Sequence, residues 1–92
     1  MNNNILSHED ILDLLIPISN LVKRYKLDKD FLKLDSMSSF TISINDFTKK
    51  EVQMLKHIAS IMIKEYSNKI GMMNTSILFK YKTINTKLNK LN

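Results

Sequence analysis

Residues 64–88 read KEYSNKIGMMNTSILFKYKTINTKL, and this segment contains the only glycine of the 92-residue chain, Gly71. Glycine readily adopts the left-handed conformation that ends a helix, so a helix over about 64–70 is predicted to stop at this residue. A further helix is predicted over about 75–89, with Asn74 as its N-cap. The buried side of this last helix would consist of Ile77, Tyr81, Ile84 and Leu88, which recur at helical spacing. The segment therefore predicts two helices joined by a tight turn.

A third predicted helix precedes them, over about 49–63. Thr48 and Glu51 form a capping box, in which the hydroxyl accepts a hydrogen bond from a free backbone N–H and the carboxylate reaches back to the cap. The apolar positions that follow on one side are Val52, Leu55, Ile58, Ala59 and Met62. Together the three helices predict a tri-helical helix-turn-helix unit over residues 47–90.

The same residues resemble a known family of DNA-binding domains. FTKKEVQMLKHIA, residues 47–59, resembles the opening helix of the GerE/LuxR-type domain, usually Leu-Thr-x-x-Glu-x-x-Val-Leu-x-x-Ile-Ala. The positions in register are Phe47, Thr48, Glu51, Met54, Leu55, Ile58 and Ala59. Residues 64–88 resemble the next two helices of that domain. The matches are Lys64, Glu65, Ile70, Gly71, Ile84, Lys87 and Leu88, and the mild substitutions are Ser67 for Ala, Ser76 for Thr, Ile77 for Val and Lys80 for His. The resemblance spans residues 47–88.

This resemblance implies a small dimeric transcriptional regulator that binds double-stranded DNA. The helix beginning at Thr75 would lie in the major groove. Its base-facing residues would be Thr75, Ser76, Phe79, Lys80 and Thr83. Phosphate contacts, which position the protein without reading sequence, would come from Lys82, Lys87, Lys49, Lys50 and Lys69.

The N-terminal half is predicted to pack with this unit in a single, mainly α domain over 1–92. Ser7 followed by acidic residues indicates the N-cap of a helix over 8–25, and Pro17 is expected to kink that helix or split it near Ile16. A short helix or a loop is expected over about 29–34. The segment 36–46 is predicted to be an extended linker or strand, because Phe40, Ile42 and Ile44 alternate with polar residues.

The charge is distributed unevenly between the two halves. Residues 1–46 contain five Lys or Arg and seven Asp or Glu, whereas residues 47–92 contain nine Lys and two Glu, a net charge of +7. This asymmetry favours a polyanionic partner, with nucleic acid first and an anionic membrane surface second. With 13 lysines and 10 asparagines, a general composition bias and an ordinary solvated surface are the alternative interpretation.

Two other functions are compatible with these features. One is a small helical protein-binding module, such as an immunity protein, a phage-encoded inhibitor or a secretion chaperone. Its basic half would dock on an acidic protein surface, with Leu78 and Phe79 as the hot spot. The other is a ribbon–helix–helix dimer, in which the segment 40–45 forms a paired strand that reads DNA through Thr41, Ser43 and Asn45.

Catalysis, metals and cofactors are not expected. The chain has no cysteine, so it has neither a disulfide nor a thiolate. A single glycine excludes a glycine-rich phosphate loop, and His8 and His57 have no pattern of neighbouring metal ligands. The apolar run over 11–18 is interrupted by Asp13 and is too short to cross a bilayer, and no basic leader is evident. A cytoplasmic location is expected.

Overall fold

The computed structural model describes residues 6–39 and 43–91, and this part of the chain is mainly helical, as predicted. Its five α-helices are α1 (His8–Leu15), α2 (Ile18–Tyr25), α3 (Asp30–Asp35), α4 (Lys49–Ser67) and α5 (Met72–Asn89). Two short 3-10 turns, Ser36–Ser39 and Ile44–Asp46, lie between α3 and α4. There is no β-strand in either described range.

The predicted break in the first helix is confirmed. Ser7 caps α1 and forms a capping box with Asp10. The helix ends at Leu15, and α2 begins at Ile18 after a turn that contains Pro17. Proline has no N–H and its ring collides with the preceding turn, so the ladder of helical hydrogen bonds is interrupted here.

A side chain from α5 compensates for the hydrogen bond that Pro17 cannot make. In a continuous helix the carbonyl of Asp13 would accept from the N–H of residue 17, which proline lacks. The Tyr81 hydroxyl donates to this oxygen instead, at 2.7 Å. Burial, followed by the nearby Asp13 carboxylate and Tyr66, raises the pKa of Tyr81 to about 12. The break in the N-terminal helix is thereby tied to the C-terminal helix.

The predicted boundary between helices at residues 63–64 is wrong, because α4 continues without interruption for 19 residues. Its start is as predicted: the Thr48 N–H donates to Glu51 at 2.8 Å, and the Glu51 N–H donates to the Thr48 hydroxyl at 3.1 Å. The sequence between 60 and 67 has no proline or glycine to end the helix. Buried Ile61 and Met62 anchor this part of α4 to the core. The segment 47–90 therefore contains two long helices instead of three.

The turn between α4 and α5 spans residues 68–71, and α5 begins at Met72, three residues before the predicted start. Gly71 has a φ of 123°, which side chains strongly disfavour. Asn74 is not the N-cap, because it is already the third residue of α5. Its side-chain amide donates to the Ile70 carbonyl at 2.9 Å and does not accept from a backbone N–H. Val52 near the start of α4 and Leu91 just after α5 line the same groove. The two helices are therefore an antiparallel hairpin.

The prediction of an extended segment over 36–46 is wrong for residues 36–39 and 44–46, and the one described residue between them, Ser43, has an extended backbone. Residues 36–39 and 44–46 form 3-10 turns, because the chain is locally capped by side chains instead of paired with a strand. The Ser43 hydroxyl accepts from the Asn45 N–H, and Asp46 accepts from the Ser43 N–H. Phe40, Thr41 and Ile42 lie outside the described residues. Ser43 and Asn45 thus do not form the strand that a ribbon–helix–helix dimer requires.

The core lies between the hairpin and α1, α2 and α3. Its fully buried large side chains are Ile11, Leu14, Leu15, Ile18, Leu21, Leu34, Leu55, Ile58, Ile84 and Leu88. The end of α2 is held to α4 by Glu65, which accepts hydrogen bonds from Arg24 and, at 2.6 Å, from the Tyr25 hydroxyl. Of the two possibilities expected over about 29–34, a short helix or a loop, the structure has the helix, α3. The N-terminal helices therefore cover one side of the hairpin.

Candidate functional site

Three large apolar side chains are exposed where α4 turns into α5, and a fourth, Phe79, is exposed about two helical turns further along α5. Ile70 is 97% exposed, Met72 91%, Met73 78% and Phe79 72%. We call these four residues the turn patch. Large apolar patches on a protein surface usually mark an interaction site. The sequence predicted the exposure of Phe79, because this residue lies opposite the buried side of its helix, but it did not predict the exposure of the other three.

The exposed side of α5 brings together five of the residues that the sequence singled out. Thr75, Ser76, Phe79, Lys82 and Thr83 are all exposed. At 100° per residue they lie within an arc of about 120° on the side opposite Tyr81, Ile84 and Leu88. Thr86 shares this side and is also exposed, although sequence reasoning did not select it. We call these six residues the outer face of α5.

The threonine hydroxyls of the outer face are used within the helix. Thr75 donates to the Gly71 carbonyl, Thr83 to that of Phe79 and Thr86 to that of Lys82, each at 3.0 Å. Such back-bonding satisfies the hydroxyl donor locally. The threonines therefore add neutral surface to the outer face, and their donors are not directed outward at a ligand.

Two of the lysines that were predicted to contact DNA are paired with α1 instead. The Lys87 ammonium lies 3.0 Å from the Asp10 carboxylate, and the Lys80 ammonium lies 3.4 Å from that of Asp13. Lys80 was expected to be solvated and to face bases, but its side chain is only 46% exposed. These two ion pairs and the Tyr81–Asp13 hydrogen bond place α1 along the side of α5 that carries Lys80 and Lys87. Lys80 and Lys87 therefore help to attach α1 to the hairpin.

The remaining predicted phosphate contacts do not form a single surface with the outer face. Lys69 stacks on the Tyr66 ring at 4.5 Å, close to the turn patch. Lys49 and Lys50 belong to the first turn of α4, about 27 Å along that helix from its other end. Lys50 is 3.7 Å from Asp30, and Lys49 lines the groove near Phe47. Nine of the ten selected residues thus separate into an outer face, an α1-facing flank and a distant helix start, and Lys69 lies apart from them beside the turn patch.

The surroundings of the turn patch are positively charged. No Asp or Glu occurs between residues 66 and 92, whereas this segment contains five lysines. Two of them, Lys80 and Lys87, are neutralised by α1. Lys69, Lys82 and Lys90 have no carboxylate within ion-pair distance in the described part of the chain. Lys69 and Lys82 consequently flank the turn patch as cations that are free to meet an anionic group, whereas Lys90 lies at the other end of α5.

Other kinds of site are not evident among the described residues. No three His, Asp or Glu side chains in ranges 6–39 and 43–91 are arranged to hold a metal ion. His57 lies on the surface of α4 with its ring 6.0 Å from that of Phe31. Within the same ranges no helix has the length and apolar character needed to cross a membrane.

Comparisons with models of protein families, with curated proteins and with solved structures find no match to this chain. The resemblance to GerE/LuxR-type domains therefore stays a hypothesis based on residues 47–88.

Proposed function

We propose that the protein is a small helical binding module that docks on another protein through the turn patch. The observation that supports this proposal is the exposure of Ile70, Met72, Met73 and Phe79 at one end of the molecule. Interfaces obtain most of their affinity from a few large apolar or aromatic side chains that become buried on binding. Phe79 and the neighbouring methionines have this character, and methionine adapts readily to an irregular partner surface.

The charge around the patch indicates what kind of partner surface fits. Lys69 and Lys82 flank the turn patch and have no carboxylate partner among the described residues. A partner with carboxylates around an apolar cleft would match both the apolar centre and the cationic rim. Such complementarity accelerates association and excludes partners of the same charge. We therefore propose that the partner surface is acidic.

Photo-crosslinking tests this proposal directly. The photoreactive amino acid p-benzoylphenylalanine would be placed at position 79 and, as a matched control, at exposed position 19 of α2. Cells that express each variant would be irradiated and the adducts identified by mass spectrometry. We expect a protein adduct from position 79 that is absent from position 19. The purified partner should then bind the Phe79→Ser and Lys82→Glu variants at least about tenfold more weakly than the unaltered chain. Absence of a protein adduct at position 79 would refute the proposal.

DNA binding is a second candidate function, and one observation favours it. Thr75, Ser76, Phe79, Lys82 and Thr83, five of the predicted DNA contacts, share the exposed side of a helix that has no acidic residue. Against it, Lys80 and Lys87 already bind carboxylates, and those carboxylates would repel phosphates approaching that flank. Fluorescence anisotropy with labelled random duplex DNA decides between the two functions. Binding that weakens steeply with salt and is lost in Lys69→Glu/Lys82→Glu would support DNA recognition, whereas no binding at low salt would exclude it.

A further inference from the structure

We propose that the partner contributes an acidic amphipathic helix, which packs along the outer face of α5 with Phe79 at the centre of the contact. This inference rests on the proposed function and extends its site from Phe79 of the turn patch along the outer face of α5. Helices of this kind are recognised through anchors spaced three or four residues apart. The partner helix would supply these anchors, and the outer face of α5 offers them the Phe79 ring between the exposed side chains of Thr75 and Thr83.

The hydrogen bonds of the outer face favour a packed helix. Burying a hydroxyl whose donor has no partner costs free energy. Thr75, Thr83 and Thr86 avoid this cost, because each already donates to a carbonyl of its own helix at 3.0 Å. The face can therefore be covered by apolar side chains without leaving these donors unsatisfied. Its length, 18 residues of regular helix, is sufficient for several helical turns of contact.

The protein already contains one example of the proposed contact. Its own acidic helix α1 packs beside α5, with Asp10 bonded to Lys87 and Asp13 bonded to Lys80. The two helices are antiparallel, since the residue number rises along α1 as it falls along α5. The outer side of α5 offers a second pair of cations, Lys82 and Lys90, about 12 Å apart along the axis. Carboxylates on the partner helix would bind these two lysines as α1 binds the first pair.

A second copy of the chain fits this surface less well. Residues 66–92 contain no acidic side chain, so pairing two outer faces would place lysines opposite lysines. Like charges facing each other across an interface disfavour association. An acidic helix from a different protein removes this repulsion and neutralises Lys82 and Lys90. The charge of the outer face therefore favours a heterologous partner.

A designed peptide tests the chemistry without knowledge of the natural partner. The probe would be an 18-residue peptide, equal in length to α5, with Leu at the a and d positions of a heptad and Glu at the flanking e and g positions. Repulsion between the e and g glutamates of neighbouring peptides should keep the probe from forming a coiled coil with itself, and an isolated helix of about this length is only marginally stable in water. A peptide of the same composition in shuffled order is the control. We expect saturable binding with a Kd below about 100 μM, helix formation on binding seen by circular dichroism, and amide shifts confined to 72–90.

Variants of the full chain make the test specific. Phe79→Ser and Thr83→Asp should weaken peptide binding at least about tenfold, the first by removing the anchor and the second by adding a repelling carboxylate. Ser19→Asp, which adds the same charge on exposed α2, should bind normally. The proposal is overturned if the designed peptide does not bind, if the shuffled peptide binds equally well, or if the amide shifts fall outside α5. If position 79 crosslinks to a protein but the designed peptide does not bind, only the proposal of a helical partner is overturned. If position 79 gives no protein adduct, the proposed function itself is overturned.

Discussion

Replacing Tyr81 by Phe is expected to destabilise the protein through a single hydrogen bond. The Tyr81 hydroxyl donates to the Asp13 carbonyl at 2.7 Å, and Pro17 removes the N–H that would otherwise bind this oxygen. Phenylalanine keeps the ring in the core but leaves the carbonyl without that donor. An unsatisfied buried acceptor costs about 1–3 kcal/mol, and because this site is only partly buried we expect about 1–2 kcal/mol.

A double-mutant cycle with Pro17→Ala isolates this effect. Alanine restores the N–H of residue 17, so the Asp13 carbonyl gains an alternative donor within a continuous helix. In the Pro17→Ala background, Tyr81→Phe should lower the free energy of unfolding by less than about 0.5 kcal/mol, so the coupling energy between the two sites should be on the order of 1 kcal/mol. Urea unfolding followed by far-UV circular dichroism measures all four proteins. An equal cost of Tyr81→Phe in both backgrounds would refute the reasoning about Pro17.

Tyr66→Phe is the matched control, because no hydrogen bond to the Tyr66 hydroxyl is seen within the described ranges. It should change the free energy of unfolding by less than about 0.5 kcal/mol.

The pH dependence of stability provides a second measurement. The pKa of Tyr81 is raised from 10.0 to about 12, chiefly by burial, so the folded state retains a proton that the unfolded state releases. The stabilising contribution is complete below pH 10 and is lost as the pH rises toward 12. Between about pH 9 and pH 11 the unaltered chain should therefore lose more stability than Tyr81→Phe.

Three other substitutions test the surface and the turn. Phe79→Ser should leave the free energy of unfolding unchanged within about 0.5 kcal/mol in urea titrations, because the ring is exposed, and a larger loss would place it in the core. Lys80→Glu should destabilise by about 1 kcal/mol, because its carboxylate would face that of Asp13, whereas Lys82→Glu should have no measurable effect. Gly71→Ala should lower stability by about 1–3 kcal/mol through its φ of 123° alone, since an added Cβ would meet its nearest atom only at 3.7 Å. A Gly71→Ala variant with an unchanged free energy of unfolding would contradict the backbone geometry of the turn.

Local sequence signals predicted much of the fold correctly. The caps at Ser7 and Thr48 and the break at Pro17 follow from chemistry within a few residues, and each is confirmed. The predicted buried side of α5 is confirmed for Tyr81, Ile84 and Leu88, whereas Ile77 is only partly buried. The continuity of α4 was not predicted, although residues 60–67 contain no helix breaker. Its last turns are fixed from outside, because Glu65 binds Arg24 and Tyr25, about 40 residues earlier in the chain. Interactions over such separations leave no local pattern.

The candidate site was only partly predictable for the same reason. Helical spacing was sufficient to place Phe79 opposite the core, and its exposure is confirmed. Spacing could not show that Ile70, Met72 and Met73 are exposed as well, because apolar residues beside a turn are equally suited to packing against a neighbouring helix. Whether such a neighbour exists depends on where α1 lies. In this fold α1 covers the flank with Lys80 and Lys87, and the turn patch stays uncovered.

The position of α1 also changes the meaning of the charge asymmetry between the two halves of the chain. The nine lysines of residues 47–92 indicated a polyanionic partner, but Lys50, Lys80 and Lys87 bind carboxylates that the N-terminal half supplies. Part of the asymmetry is therefore neutralised within the molecule, where opposite charges join α1 and α3 to the hairpin. The cations without such a partner near the turn patch are Lys69 and Lys82, and they are too few and too close to exposed apolar side chains to favour a purely electrostatic ligand. An apolar surface with an acidic rim satisfies both properties, whereas a nucleic-acid backbone satisfies only the charge.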